Sequence, residues 1–256
     1  MQHRNKVASN FFWRLLERFG AQGVTFVVSI VLTRVLDTST YGIVALITVI
    51  TSILQVFVDS GLGSALVQKK NADEIDFSTV FYFNFAVCLV LYGVLFFAAP
   101  LIASFYGQDS LTPLIRTLGV VLIISGFKNI QNAYVSRHLL FKKYFFATLG
   151  GTVSAAIVGI WMAYNGYGVW ALVFQNVVNQ LIDTIILWIT VKWRPKRVFS
   201  WSRFRHLFSY GWKLLVSSLV ETVWIQSRQL IIGKKYSAND LSFYNKQKTA
   251  DRKSVV

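Results

Sequence analysis

Seven long apolar stretches, joined by loops in which lysine and arginine are by turns abundant and absent, dictate the fold class of this chain. They run over residues 11–36, 41–66, 78–104, 114–135, 145–165, 168–191 and 211–233. A helix needs about 20 mostly apolar residues to cross a bilayer. Such stretches consume nearly the whole chain, so the expected fold class is an all-α integral membrane bundle of about seven transmembrane helices. No soluble catalytic domain fits beside them, and function is to be sought inside the bilayer. The first stretch is too long for a cleaved signal peptide, and no small-residue cleavage site follows it before Arg34 and Asp37.

The net charge of +15 would ordinarily raise nucleic acid as a partner, but only 14% of residues are charged. A soluble domain carries about 25%. The cations also sit between the apolar stretches, where they act as orientation signals and touch lipid head groups. This placement argues against nucleic acid and for membrane lipid. Arg4 and Lys6 lie in the N-terminal tail, and Lys69 and Lys70 follow the second stretch. Arg137, Lys142 and Lys143 follow the fourth, and Lys192, Arg194, Lys196, Arg197, Arg203 and Arg205 follow the sixth. The alternate loops, 37–40, 105–113 and 166–167, hold neither lysine nor arginine. The positive-inside rule predicts a cytoplasmic N-terminus and cytoplasmic basic loops.

Chemistry is sparse. Cys88 is the single cysteine, so no internal disulfide can form, and its mid-span place suits a small apolar residue. His3, His138 and His206 are scattered, and no cluster has metal-ligand spacing. Gly233-Lys234 has the end of a phosphate loop, but that motif requires glycine where Arg228 stands. No nucleophile–base pair emerges. The expectation is therefore no catalytic residue, no metal, no cofactor and no enzyme.

Polar residues recur at helical spacing inside five spans, although a lipid-facing helix surface should be apolar. The first carries Arg14, Arg18, Gln22, Thr25, Ser29 and Thr33; the second carries Thr48, Ser52, Gln55 and Asp59. The fourth holds Ser125, Lys128 and Asn132, the sixth Gln175, Asn179 and Asp183, and the seventh Ser217, Glu221 and Arg228. A serine or threonine can bond back to its own helix, and Asn or Gln can join two helices. Ionisable groups are different: each costs roughly 2.5–3.5 kcal/mol at a helix centre and faces a cavity or a partner. Arg14, Arg18 and Asp59 lie near span ends, where snorkelling is the alternative. Five polar faces imply one hydrated interior. The substrate-binding set expected there is Arg14, Arg18, Asp59, Lys128, Gln175, Asn179, Asp183, Glu221 and Arg228.

Glu221 and Arg228 lie about 10.5 Å apart along one helix face, too far to pair directly. Glu221 is thus expected to meet Arg14, Arg18 or Lys128, and Arg228 to meet Asp183 or a substrate phosphate. In the fifth span, Gly151, Ala155 and Gly159 form a small-xxx-small face for close helix contact. The connection 192–210 mixes cations with Trp193, Phe199, Trp201, Phe204, Leu207 and Phe208. It reads either as an interfacial helix or as a solvated loop, at the midpoint of a possible pseudo-repeat.

The segment Thr33–Lys70 carries a resemblance. Thr33-Arg34-Val35-Leu36, Tyr41-Gly42 and Asp59-Ser60-Gly61-Leu62-Gly63-Ser64-Ala65-Leu66-Val67-Gln68-Lys69-Lys70 are similar to the start of the bacterial oligosaccharide-repeat flippases. These are the lipopolysaccharide, O-antigen and colanic-acid exporters of the multidrug/oligosaccharidyl-lipid/polysaccharide superfamily. Arg228-Gln229-Leu230-Ile231-Ile232-Gly233-Lys234 resembles the close of that family's seventh helix, and Leu241-Ser242-Phe243-Tyr244-Asn245 its entry to the eighth. The resemblance spans about residues 10–247. It implies two helical lobes around a central cavity, in the bacterial cytoplasmic membrane. It also implies alternating access that moves an undecaprenyl-diphosphate-linked oligosaccharide between leaflets, with no bond made or broken. A cationic inner face suits a diphosphate, and polar stripes suit sugar hydroxyls.

Family members continue through about five to seven more helices, whereas residues 234–256 are polar. The expected organisation is a six-helix N-lobe over 1–191, a basic, aromatic-rich linker over 192–210, a seventh helix over 211–233 and a polar tail over 234–256. That organisation corresponds to an N-terminal lobe only. Two other readings remain: a non-transporting membrane scaffold or half-lobe that binds a partner, such as a polysaccharide-assembly membrane protein, and a membrane polysaccharide polymerase. The polymerase would need a long outer loop bearing Arg or His, and the outer loops here are short and lack both.

Overall fold

The computed structural model describes residues 2–59 and 61–235, with side chains over 12–16, 19–59, 61–227 and 231. Eight helices follow one another and no strand occurs among the described residues. They are α1 (Gln2–Val35), α2 (Thr38–Asp59), α3 (Leu62–Gln68), α4 (Glu74–Tyr106), α5 (Leu111–His138), α6 (Phe141–Tyr164), α7 (Val169–Thr190) and α8 (Trp201–Lys235). Six spans, Phe12–Val35, Thr38–Gln68, Glu74–Tyr106, Leu111–His138, Phe141–Tyr164 and Val169–Thr190, are long and apolar enough to cross a membrane. The chain is an all-α integral membrane bundle, and its second span is built from α2 and α3 together. The stretch 211–233, expected as a seventh crossing, lies within α8, which is not among the six. It carries Lys213, Glu221 and Arg228, and these charges dilute its apolar character.

Helix ends follow local chemistry. Asp73 caps α4 through a capping box: its carboxylate accepts from Asp76 N–H, and the Asp76 carboxylate accepts from Asp73 N–H. Each bond satisfies a donor the first turn leaves open. Gly107 ends α4 in the left-handed region, φ 66°, where glycine carries no Cβ penalty. Between α2 and α3, Gly61 also has a positive φ, 65°, so a membrane span is broken near its basic end.

α1 packs on α6, α6 on α7, α4 on α5, α5 on α7, and α2 on both α8 and α5. The small face of α6 sets one of these seams. A Cβ built on Gly151 would stand 2.8 Å from Asn179 O and 2.9 Å from Asp183 Cβ. One on Gly159 would stand 3.2 Å from Gln175 side-chain carbons. Small residues let the two backbones approach. Cys88 is buried, and its sulfur fills the space beside Gly126, 2.8 Å from a Cβ built there. Outward, Val90, Val94, Phe97 and Leu101 of α4 and Ile157 and Trp161 of α6 are exposed. They form the surface that lipid requires.

The expected linker 192–210 divides in the structure. Residues 191–200 run as a non-helical strap, and Trp201 begins α8. The strap lies against the start of α4. Ser78 Oγ accepts from Lys196 N–H at 3.0 Å, and Thr79 Oγ accepts from Ser200 N–H at 3.1 Å. Gln131 Nε2 donates to Trp193 O at 3.2 Å, and the Trp193 ring is buried among Phe77, Phe81 and Tyr134. Lys69 pairs with Asp76 at 2.6 Å, Lys196 pairs with Glu74, and Arg203 pairs with Asp73. The Arg203 hydrogen bond holds the Asp73 carboxyl below its usual range. Arg137 donates to the oxygens of Leu66 at 2.9 Å, Lys69 at 2.6 Å and Lys70 at 2.9 Å. It thereby satisfies carbonyls that the end of α3 leaves open. The basic loops thus serve in part as internal fasteners.

Candidate functional site

Seven of the nine expected residues have described side chains, and the structure separates these into distinct places. Lys128 and Asp183 meet in the seam between α5 and α7. Lys128 Nζ lies 2.5 Å from Asp183 Oδ2 and donates to Gln180 Oε1 at 3.0 Å. Asp183 is 2% exposed, and its Oδ1 has no hydrogen-bond partner among the described residues. The expected alignment of Lys128 with Glu221 is therefore corrected. The bond geometry gives Lys128 to Asp183, because a buried carboxylate demands a cation more strongly than an exposed one does. Asp183 pairs with Lys128, and the expected contact of Arg228 with Asp183 lies outside the described residues.

Gln175 and Asn179 stand on α7 against the glycines of α6. Asn179 contributes its backbone oxygen to that contact, and Gln175 its methylenes. Arg14 is exposed, and its guanidinium lies over the Phe141 ring at 5.1 Å. Glu221 is exposed on α8 and makes no ion pair with another described residue. The side chains of Arg18 and Arg228 lie outside the described residues.

Asp59 ends α2 and takes part in a second polar group. It lines a cavity of about 350 Å³ with Ser52, Gln55, Thr222 and Gln226, between α2 and α8. Gln226 Nε2 donates to Ser52 Oγ at 3.1 Å, the hydrogen bond that ties α8 to α2 there. Asn129 Nδ2 donates to Val58 O at 2.8 Å, so α5 also holds the end of α2. Ser52 and Gln55 belong to the polar stripe legible in the sequence. Thr222 and Gln226 do not, since they fall off the Ser217–Glu221–Arg228 face. Their four-residue spacing, one helical turn, is the signal that would have found them.

The stripe on α1 takes a third form. Gln22, Thr25, Ser29 and Thr33 are all exposed. Thr25, Ser29 and Thr33 donate back to carbonyls of their own helix, at 2.8, 2.8 and 2.6 Å. Back-bonding satisfies the hydroxyl proton and leaves oxygen lone pairs outward. Thr48 on α2 does the same, bonding Val44 O at 2.7 Å, and is also exposed. Among the described residues no group of three His, Cys, Asp or Glu can hold a metal ion.

Residues 31–254 match the family model described as polysaccharide biosynthesis protein. The chain is 25% identical over 240 residues to the succinoglycan biosynthesis transport protein ExoT of Rhizobium meliloti, covering 93% of this chain and 48% of that protein. It is 29% identical over 199 residues to the teichuronic acid biosynthesis protein TuaB of Bacillus subtilis, covering 75% and 40%. It is 21% identical over 252 residues to the lipopolysaccharide biosynthesis protein WzxC of Escherichia coli, covering 96% and 50%. The chain thus spans about half the length of the curated relatives it matches. No solved structure matches it. With its apolar helices and a match over most of its length, the chain belongs to the polysaccharide biosynthesis protein family of membrane proteins.

Proposed function

We propose that this chain forms one lobe of a carrier that moves undecaprenyl-diphosphate-linked oligosaccharide repeat units across the bacterial cytoplasmic membrane. The observation that carries this reading is the set of exposed polar groups on α1, α2 and α8. Gln22, Thr25, Ser29 and Thr33 on α1, Thr48 and Asp59 on α2, and Ser217 and Glu221 on α8 are all exposed. Hydrocarbon would leave the Gln22 amide and the Asp59 and Glu221 carboxylates poorly satisfied at a cost of several kcal/mol each, and the lone pairs of the back-bonded hydroxyls open. Water and sugar hydroxyls would satisfy them. In a two-lobed carrier these faces would line the cavity between the lobes, where Arg14, Arg18 and Arg228 would meet the diphosphate. The remaining expected contacts, Lys128, Gln175, Asn179 and Asp183, would support that cavity from the α5–α6–α7 packing behind it. The printed name of one relative, a succinoglycan biosynthesis transport protein, favours transport over a scaffold or a polymerase. The chain is read as a carrier rather than an enzyme, because its work is to lower the cost of moving polar groups through lipid.

The reading has a direct test. The chain, joined to the C-terminal half of a matched relative, is expressed in a strain deprived of its own repeat-unit exporter. Surface polysaccharide should return. Glu221→Lys should cut it at least fivefold at unchanged membrane abundance. No return with a well-expressed protein, or full export by Glu221→Lys, would count against the lobe.

The same reading sets the N-terminus and the basic loops in the cytoplasm. In a Cys88→Ala background, a cysteine at Ser110 should react with an impermeant maleimide added outside intact cells. Reaction from the cytoplasmic side alone would invert the orientation.

A further inference from the structure

A proline stands inside a membrane helix, Pro100 of α4. It has no N–H, so the carbonyl of Phe96, four residues back, loses the hydrogen bond that its own helix would supply. In a membrane such an opening is closed by a neighbour, and here the neighbour is α5. Arg116 Nε donates to Phe96 O at 3.2 Å. The guanidinium carbon also lies 4.0 Å from the centre of the Phe96 ring, well within cation–π reach. These two contacts fix both the position and the tilt of the Arg116 head group. The remaining donors of the fork, on the two Nη atoms, bond to no described residue.

Depth and charge say what those donors meet. α4 holds 33 residues, more than the roughly 30 Å hydrocarbon core requires. Its start is polar: Asp73 pairs with Arg203, and Asp76 pairs with Lys69. About 20 residues cross the core, and that count from Asp76 ends at Phe96. Phe96 and Arg116 thus stand at the far edge of the hydrocarbon, at head-group level in the leaflet opposite the basic loops. Arg116 is half-buried and makes no ion pair with another described residue. The adjoining loop 105–113 holds neither lysine nor arginine, so this charge stands apart from the basic loops. An unpaired guanidinium at the edge of lipid calls for an anion, and its planar fork matches two phosphate oxygens.

We propose that Arg116 is a binding site for a phosphate group in that leaflet. Its two Nη atoms donate to two phosphate oxygens, while Phe96 holds Nε and one face of the guanidinium. Thr112 lies one turn earlier on α5 and is half-buried, so its hydroxyl can donate to the same group. A lipid head group and a free phosphate present the same oxygens, and the two sources are separated by the test. An arginine that served only to close the Phe96 carbonyl would affect stability and leave the response to phosphate unchanged.

The full chain, with Thr112→Cys in a Cys88→Ala background, is placed in nanodiscs of phosphatidylglycerol or of galactosyl diacylglycerol, which keeps the acyl chains and lacks the phosphate. Labelling by a water-soluble maleimide, scaled to that of Ser110→Cys, should be severalfold slower in phosphatidylglycerol. Arg116→Gln should remove the difference. Arg116→Lys should keep part of it, since a point charge cannot reproduce the fork. Where Arg116→Gln alone does not fold, Pro100→Ala is added, because alanine returns the N–H that closes the Phe96 carbonyl; the difference should vanish in that double variant as well. Inorganic phosphate is then added to the galactolipid discs. Slower labelling there assigns the site to a free anion, and slower labelling in phosphatidylglycerol alone assigns it to the head group. No slowing by either phosphate, or an undiminished difference in a folded Arg116→Gln, would overturn the site. No export is measured, so failure here and failure of the export reading are separate outcomes.

Discussion

Replacing Asp183 by Asn should destabilise the protein by about 3–5 kcal/mol, because it leaves the Lys128 ammonium buried without a counter-charge. The pair is tight, 2.5 Å, with side-chain exposures of 14% for Lys128 and 3% for Asp183. It joins α5 to α7, and α7 in turn packs on α6. In a chain of this size that loss corresponds to a fall of roughly 10 °C in apparent unfolding temperature. Lys128→Met should cost a comparable amount, since the Asp183 charge is then orphaned. The double variant Lys128→Met/Asp183→Leu should recover most of the loss, because an apolar pair of similar volume requires no desolvation of charge. Thermal unfolding in a single detergent, followed by tryptophan emission, measures all three. Independent, additive losses would show that the two side chains do not act as a pair.

The second large effect is expected at Gly61. Its φ of 65° is left-handed, and a Cβ there would stand 2.4 Å from Gly211 O and 2.9 Å from Leu214 Cβ. Left-handed backbone costs an L-residue about 1–2 kcal/mol, and the collision with α8 backbone adds to it. Gly61→Val should therefore push α8 away from α2 rather than merely strain the turn. The two helices meet at Ser52 and Gln226, 3.1 Å apart between Oγ and Nε2. A Ser52→Cys/Gln226→Cys pair in a Cys88→Ala background should be joined by a short thiol cross-linker with glycine at 61. With valine there the yield should drop severalfold. Equal yields would mean that α8 does not depend on that close approach.

Much of this architecture was legible before any coordinates. Apolar runs of about 20 residues have one outcome in a bilayer, because every backbone polar group must be satisfied within its own segment. The six spans follow from that alone. The small face Gly151–Ala155–Gly159 likewise announced a close helix seam, and the seam is there, against α7. The seventh stretch was harder to read. Lys213, Glu221 and Arg228 dilute its apolarity, and the amphipathic start at Trp201 runs into it without interruption. Hydropathy has no means of locating a boundary that the backbone does not make.

The candidate site divides along the same line. Periodicity places residues on a helix face but does not name the helix that the face meets. Lys128, Asp183 and Glu221 each carried the mark of an ionisable group in a membrane span. Only packing assigned Lys128 to Asp183 and left Glu221 exposed. The charge alternation told where the cations lie; tertiary structure showed that Arg137, Arg194 and Arg203 are bound to carbonyls or carboxylates of the fold itself. By itself, the sequence determined that the chain is a helical membrane protein with polar faces inside its spans, because helical period and the cost of polar groups in lipid are local properties. Which polar groups neutralise one another, and which remain open toward a substrate or an ion, was decided by tertiary structure, because electrostatic pairing depends on distances of a few ångströms between residues up to 174 positions apart.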